Sequence, residues 1–405
     1  MADATLRDLA ARRIVAALGD AAQRWCDADF PPRVRASAAI EARLGYTAPV
    51  VDYALDRVFF GLTRARIEAA IAAELGCVEV LDGPVARQGA PAAWARGVER
   101  AVIVASDTTI GVALVPALFA LCAKCSVVVK DRSDALVAAF FATLAEEHGA
   151  FSRAATARTW TGGADAGEER LFHDADVVVA FGRDEALRSI RTRCGTETRF
   201  VPFGHRAGIG YLDRAVAASV DGALAERIAR DALLYDGEGC LSLHALLVAA
   251  EGDTLARIAS LVADACGRVA VELPGGKREP AHEASVAAYR NLAAFRGATG
   301  AGAVFRAADA VVAVAPRAEP PPFLPRVLPV IGVANEDDVA AYVASHRLPV
   351  QVLGVAVPEP RDVAFAARIG AVRVAALGQL QDPPLGGHHG GLPRIADFVR
   401  WIDLG

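Results

Sequence analysis

Residues 101–130 read AVIVASDTTIGVALVPALFALCAKCSVVVK, and the fold turns on this stretch. It opens on an apolar run, AVIVA at 101–105, and closes on VVVK at 127–130. Runs this short and uniformly apolar suit strands buried on both faces, the condition of a parallel sheet. Between them, residues 111–124 are apolar over the length of a crossover helix. Reading outward toward the C-terminus, a helix follows at 134–147, a strand at 176–181 (DVVVAF), a helix at 184–193 and a fourth strand at 200–203. Strands alternating with helices of this length predict a doubly wound α/β sheet. Such sheets bind ligands at the carboxyl ends of their strands, which singles out the loops 106–110, 130–133 and 182–185.

Further outward, residues 1–95 read as mostly helical. Leu6, Leu9, Ala10, Ile14, Ala17 and Leu18 recur at helical spacing, as do Ile67, Ala70, Ile71 and Leu75. Pro31-Pro32 and Pro49 mark breaks. On the other side a second α/β stretch begins with a helix at 213–235, a glycine turn at 236–239 and a strand at 244–249. A helix at 255–267 and a proline-rich break near 316–325 follow. Strands at 327–333, 350–357 and 371–375 then alternate with helices at 336–345 and 362–369. The tail, 378–391, is rich in Gly, Pro and His, and an apolar segment at 392–401 predicts a closing helix. These patterns predict four segments: a helical region 1–95, a dinucleotide-binding domain 96–212, a second α/β domain 213–375 and a tail 376–405.

Composition narrows the function. Apolar residues at 54% and charged residues at 22% belong to a globular chain. A net charge of −5 without a basic block argues against nucleic acid as a partner. Apolar runs such as 111–123 fall short of a membrane span. Seven cysteines is an odd number, and apart from Cys122 and Cys125, which no second pair follows to complete a zinc site, they show no paired spacing; this predicts a reduced cytoplasmic protein with no metal site. His388-His389 does not alter this, because adjacent histidines cannot easily share one ion.

The strongest local signal is Tyr235-Asp236-Gly237-Glu238-Gly239-Cys240-Leu241-Ser242. A cysteine just after a glycine turn, between a helix and a strand, sits on a tight loop where backbone N–H groups can face a developing oxyanion. It needs surroundings that favour its thiolate to act as a nucleophile. A small buried hydrophobe is the competing reading, and spacing alone leaves the two about even.

The stretch 229–248, ARDALLYDGEGCLSLHALLV, resembles the active-site segment of the acyl-CoA reductase family, which includes the fatty-acid reductase of bacterial bioluminescence and belongs to the aldehyde dehydrogenase superfamily. Three further stretches resemble it in the same order: VVAFGRDEALRSIR at 178–191, RFVPFGHRAGIG at 199–210, and the tail with GQLQDPP and GGHHGG. The resemblance implies an aldehyde-dehydrogenase-like fold and NADPH- or NADH-dependent reduction of an acyl thioester, carried by CoA or a carrier protein, to an aldehyde. Cys240 is then the covalent nucleophile. The cofactor falls to Ser106, Thr108, Lys130 and Ser133 in the loops after the first two strands, and to Gly182 and Arg183 after the third. Lys130 would meet the adenosine ribose or its 2′-phosphate, and Arg183 pairing with that phosphate would favour NADPH. The substrate site would lie between the domains, with the tail near its entrance and a homo-oligomer as the assembled form.

This sequence departs from the family's pattern in instructive places. Hydrolytic relatives carry a Glu-Leu-Gly-Gly segment whose glutamate activates water; the comparable Val201-Pro202-Phe203-Gly204 has no carboxylate, which favours thioester chemistry over oxidation. Asp107 stands at the place of the asparagine that helps bind the oxyanion. It serves there if protonated, or Thr108 or Thr109 supplies the donor, or the loop is offset by one residue; otherwise the site is degenerate. Residues 320–326, PPPFLPR, lack the glutamate that often holds the nicotinamide ribose. The rival readings are an aldehyde dehydrogenase or acyl transferase using the same cysteine, and a thioester-binding subunit without catalysis.

Overall fold

The computed structural model describes residues 5–106, 109–131, 135–160, 162 and 166–405. Two short strands, β1 (Val85–Arg87) and β2 (Ala90–Gly97), pair antiparallel ahead of the first sheet. That sheet comprises β3 (Arg100–Val104), β4 (Ser126–Lys130), β5 (Ala155–Arg158), β6 (Val177–Phe181) and β7 (Arg199–Phe203). Its pairings are all parallel, in the order β5-β4-β3-β6-β7. The chain leaves β3 toward β4 and β5, then returns to β3's other side as β6. The strand order therefore reverses between β3 and β6, which places Ser106 and Gly182 on the two sides of the switch point.

The second sheet comprises β8 (Ala207–Leu212), β9 (Leu243–Val248), β10 (Ala303–Ala307), β11 (Ala310–Val314), β12 (Val327–Gly332), β13 (Val350–Val355) and β14 (Arg373–Ala376). Its order is β10-β11-β12-β9-β8-β13-β14, parallel except for the hairpin β10-β11. Its core is aliphatic, with Ile209, Leu247, Val339 and Leu353 fully buried. The last strand, β15 (Val399–Leu404), pairs antiparallel with β2.

The chain divides into two units, one of Met1–Leu44, Val51–Gly204 and Pro384–Gly405, the other of Gly45–Val50 and His205–Pro383. This redraws the expected boundaries. The helices of the first 95 residues join the dinucleotide-type sheet rather than stand apart. Trp25 shows why: it stacks on Phe59 at 5.0 Å, meets the edge of Phe140 at 6.1 Å and donates to Thr143 Oγ1 at 3.1 Å. Complete burial of such aromatics stabilises this packing by roughly 2–3 kcal/mol per ring. The expected boundary at 212 falls instead at Gly204, because β8 belongs to the second sheet. The tail is likewise shared, parting at Pro383.

Two element assignments also change. The expected helix at 213–235 is two helices, Arg214–Ala218 and Gly222–Leu233, each opened by an aspartate cap: Asp213 accepts from Val216 N, and Asp221 from Leu224 N. The apolar segment 392–401 is not a helix; it ends in β15, whose backbone partners lie on β2.

Candidate active site

In the second unit, Cys240 ends a loop between the helix Gly222–Leu233 and β9. Tyr235 (φ 55°), Asp236 (φ 53°) and Gly237 (φ 73°) run left-handed in succession. For the two non-glycine residues this costs roughly 1–2 kcal/mol each, so surrounding contacts must impose it. At Gly237 a side chain is excluded outright, since a Cβ would meet Ala232 O at 2.8 Å. Asp236 is buried and held on every polar atom of its carboxylate: Arg326 Nη1 donates to Oδ1 at 2.9 Å, and Gly276 N donates to Oδ2 at 3.1 Å.

Ser242 N then donates to Gly239 O at 2.9 Å, closing a turn around the cysteine. Gln381, from the GQLQDPP stretch, donates from Nε2 to the fully buried Ser242 Oγ at 2.7 Å. That stretch is itself anchored. Asp231 accepts from Gly378 N at 2.5 Å and Leu380 N at 3.1 Å, and Arg373 donates to the carbonyls of Gln379, Leu380 and Asp382. Burial pushes the Asp231 carboxyl up to about 7, against those two N–H groups.

Cys240 itself is partly exposed as a residue, but burial around its sulfur pushes the thiol up. The N–H groups of Cys240 and Leu241 and the charge of Arg206 act in the opposite sense. The loop thus directs backbone donors at the sulfur, where they favour its thiolate. Glu238 is exposed on the same turn. His244, on β9, is buried; its Nδ1 accepts from Gly208 N at 3.2 Å, so Nε2 carries the proton. Burial first, and His205 second, push His244 down to about 4, which leaves it neutral at neutral pH. Gly208 is required, because a Cβ there would sit 2.5 Å from Ser242 O. The ring of Phe323 lies 5.1 Å from His244 and 5.0 Å from His205.

In the first unit, Ser106 follows β3 and Lys130 ends β4. Asp107, Thr108 and Ser133 lie outside the described residues. Lys130 is buried, with Nζ 2.9 Å from Glu168 Oε1 and 4.8 Å from the centre of the Trp160 ring. Glu168 also takes Arg193 Nη1 at 2.6 Å. Gly182 ends the β6 turn, where a Cβ would meet only Ala186 Cβ at 3.7 Å, so the backbone is open to close approach. Arg183 is exposed and opens the helix Asp184–Arg191. A parallel sheet whose switch point carries Ser106 and Gly182, flanked by a fixed cation at β4, suits a nicotinamide dinucleotide.

Val201, the position compared with a hydrolytic glutamate, is buried on β7. His389 stacks on Phe203 at 4.2 Å and lies 5.6 Å from Phe181. Burial pushes it down to about 4, and it is held by reciprocal backbone hydrogen bonds with Leu392. Its role here is packing within the tail.

Sequence reasoning did not name Glu168, Arg193, Trp160, Asp236, Arg326 or Gln381 as working residues. Asp236 and Gln381 lie inside the two stretches that were quoted, and Arg326 in the proline-rich one. Glu168 has no local signal, since it meets Lys130 across 38 positions of sequence.

A family model described as acyl-CoA reductase (LuxC) matches residues 6–401. Solved structures agree on the fold. An acetylating aldehyde dehydrogenase from Geobacillus thermoglucosidasius matches with TM-score 0.67 at 14% identity, covering 99% of this chain and 93% of that one. An oxidoreductase from Marinobacter aquaeolei gives 0.70 at 13%, covering 97% and 85%. A 1-pyrroline-5-carboxylate dehydrogenase from Thermus, solved with NAD, gives 0.64 at 14%, covering 98% and 82%. No curated protein sequence gives a significant match.

Proposed function

The chain belongs to the LuxC family of acyl-CoA reductases, aldehyde-forming oxidoreductases that use a nicotinamide cofactor, and from that premise we propose that Cys240 carries the acyl group. The observation behind this is the loop of the second unit, where a cysteine sits among backbone donors with a neutral histidine four residues on. Cys240 Sγ attacks the thioester carbonyl; the bond from that carbon to the carrier sulfur breaks, and the departing thiol takes up the proton that Cys240 gives up. When bound, the cofactor supplies the hydride that reduces the new thioester. The thiohemiacetal anion on Cys240 then collapses, its carbon–sulfur bond breaks, the aldehyde leaves, and the released thiolate takes a proton from solvent.

The chain's own residues bear different parts of this. The N–H groups of Cys240 and Leu241 steady charge at the sulfur, and His244, held neutral, adds no charge that would oppose release. Lys130, with Ser106, Gly182 and Arg183, would hold the cofactor, and the exposed Arg183 supports NADPH over NADH. The segment Val201-Pro202-Phe203-Gly204 offers no carboxylate, so water lacks its usual activator and the acyl-enzyme waits for hydride. Thr108 and Ser133 keep the cofactor roles that the family resemblance gives them, and Asp107, in the place of the family's asparagine, serves the oxyanion if protonated. The acyl donor is CoA or a carrier protein. Homo-oligomer formation is supported by the edge strand β15, with exposed Trp401, Ile402 and Leu404. A cytoplasmic location is supported by seven free cysteines.

The deciding experiment is single-turnover. The protein is mixed with acyl-CoA thioesters of several lengths, then with acylated carrier protein, without cofactor, and followed by intact mass. Acylation confined to Cys240 and absent from Cys240→Ala, followed by aldehyde release on adding NADPH or NADH, is the expected result. No acylation from either carrier would overturn the nucleophile. Acylation with slow hydrolysis and no aldehyde would favour acyl transfer.

A further inference from the structure

The proline-rich segment 320–326 does more than lack a glutamate. Its last residue, Arg326, has a fully buried guanidinium and a left-handed backbone (φ 53°). It grips the cysteine loop at two levels. Its backbone N donates to Asp236 O at 2.8 Å, and its Nη1 donates to Asp236 Oδ1 at 2.9 Å. Its other arm is fixed as well, Nη2 donating to Leu273 O at 2.9 Å, while Nε stands 3.1 Å from Asp309 Oδ1 as an ion pair without a hydrogen bond. Asp309 in turn accepts from Gly275 N, and Asp236 from Gly276 N. The other end of the segment reaches the opposite flank of the loop, where Phe323, also left-handed (φ 48°), packs against His244. Asp236 stands four residues before Cys240 and His244 four residues after it.

Stability does not account for this arrangement. A buried ion pair is commonly no more stabilising than apolar side chains of the same volume, because both charges lose their water. What the pair gives, and apolar packing would not, is direction. A planar fork with fixed partners imposes one path on the left-handed run at 235–237. We propose that Arg326 is a positioning residue for Cys240, acting through Asp236, and that segment 320–326 clamps both flanks of the nucleophile's loop. The proposal rests on the reading of Cys240 as the acylated residue.

Arg326→Lys keeps the charge and loses the fork. In the full-length protein, with folding checked by circular dichroism, acylation of Cys240 at saturating acyl-CoA should slow by at least about tenfold, since misplacing a reacting atom by an ångström costs up to about 10²-fold. The concentration of acyl-CoA giving half that rate should change by less than about threefold, because substrate binding is not what the fork supplies. The pH midpoint of Cys240 alkylation by iodoacetamide should fall toward that of an ordinary thiol as the loop loosens, while Cys194 keeps its own. Should the lysine variant not fold, Asp236→Asn retains size and a hydrogen-bond acceptor, and should slow acylation in the same sense by about threefold or more. A folded variant that acylates within about twofold of the parent, with the same alkylation midpoint, would overturn the proposal. Failure of the nucleophile reading looks different. The parent would then not acylate at all, yet the alkylation midpoint would still report whether Arg326 governs the setting of Cys240; an unmoved midpoint in that case also ends the proposal.

Discussion

The two units bury charge in opposite places. At the end of β4, charge stands where the dinucleotide-type sheet offers its ligand face: Glu168, 1% exposed, is held between Lys130 and Arg193. Around Cys240 the buried neighbours Ser242 and His244 carry no charge, the charge of Arg206 acts on the thiol, and the buried ion pair, Asp236 with Arg326, is set back into the support of the loop. On the proposed function, the contrast follows from what each region would handle. A dinucleotide brings its own negative charge, and fixed cations meet it at no cost in reorganisation. A thioester carbonyl is neutral until attacked, so a permanent charge beside the sulfur would bias the thiol before substrate arrives.

If the contrast is functional, one substitution from each side should separate two activities, and here the largest effect is expected. Cys240→Ala should abolish acylation and cut aldehyde formation by at least about 10³-fold, with cofactor affinity by fluorescence titration unchanged. Lys130→Met should do the reverse, weakening cofactor binding by about tenfold while acylation without cofactor proceeds. Loss of acylation in Lys130→Met would erase the division.

Stability should separate buried from surface charge in the same way. Glu168→Gln removes the carboxylate between two cations and should cost about 3 kcal/mol in urea unfolding, the usual penalty for stranding a buried partner. Glu272→Gln breaks the surface pair with Arg230, 2.7 Å apart with Glu272 55% exposed, and should cost less than about 1 kcal/mol. Equal losses would mean that burial at β4 carries no special weight.

Proton linkage sharpens the comparison further, because each unit holds a titrating group that burial has moved. His244 and His389 are pushed down to about 4, so between pH 4 and their ordinary 6.5 the unfolded chain binds more protons and stability rises with pH. Asp231 is pushed up from 3.8 to about 7; across that range the folded chain holds the extra proton, and stability falls as pH rises. Each group contributes a slope of at most about 1.4 kcal/mol per pH unit. Asp231→Asn should therefore steepen the rise in unfolding free energy between pH 4.5 and 6, and His389→Phe, which keeps the stack on Phe203, should flatten it. Parallel pH curves for parent and variants would show that these sites do not titrate on unfolding.

How much of this was legible in the sequence depended on distance along the chain. The strands β3, β4 and β6 announced themselves, because a strand covered on both faces must be apolar throughout. Cys240 was legible from its glycine turn and the family resemblance together. Where a partner is remote, local pattern fails. Residues 392–401 read as a helix, yet β2 supplies six backbone pairings, from residues 92–97, to residues 399–404. Trp401 and Ile402 are exposed, so neither helical nor strand periodicity marks a core face there. Lys130 was named as a candidate and its partner Glu168 was not, because β4 predicts a strand end but nothing nearby predicts a carboxylate from the helix Ala166–His173. Arg326 was read as part of a loss, a segment missing a glutamate. Only the fold shows that its arginine meets Asp236 across 90 positions.

The smallest effect expected tests whether the tail belongs to the neutral side. Gln381 donates to Ser242 Oγ at 2.7 Å, and Ser242 is fully buried beside the nucleophile. Gln381→Ala leaves that hydroxyl one partner short and should cost about 1 kcal/mol, with acylation slowed by a few-fold. Gln381→Glu separates hydrogen bonding from charge. A carboxylate can accept from the Ser242 hydroxyl and so keep the contact, but it brings a negative charge to the turn that carries Cys240. The glutamate variant should therefore match the parent more nearly in stability than the alanine variant does, yet acylate more slowly than either at pH 7 and recover as pH falls toward 5. A glutamate variant that acylates like the parent would mean that charge at this turn does not matter, and the neutrality of the cysteine side would then be a matter of packing alone.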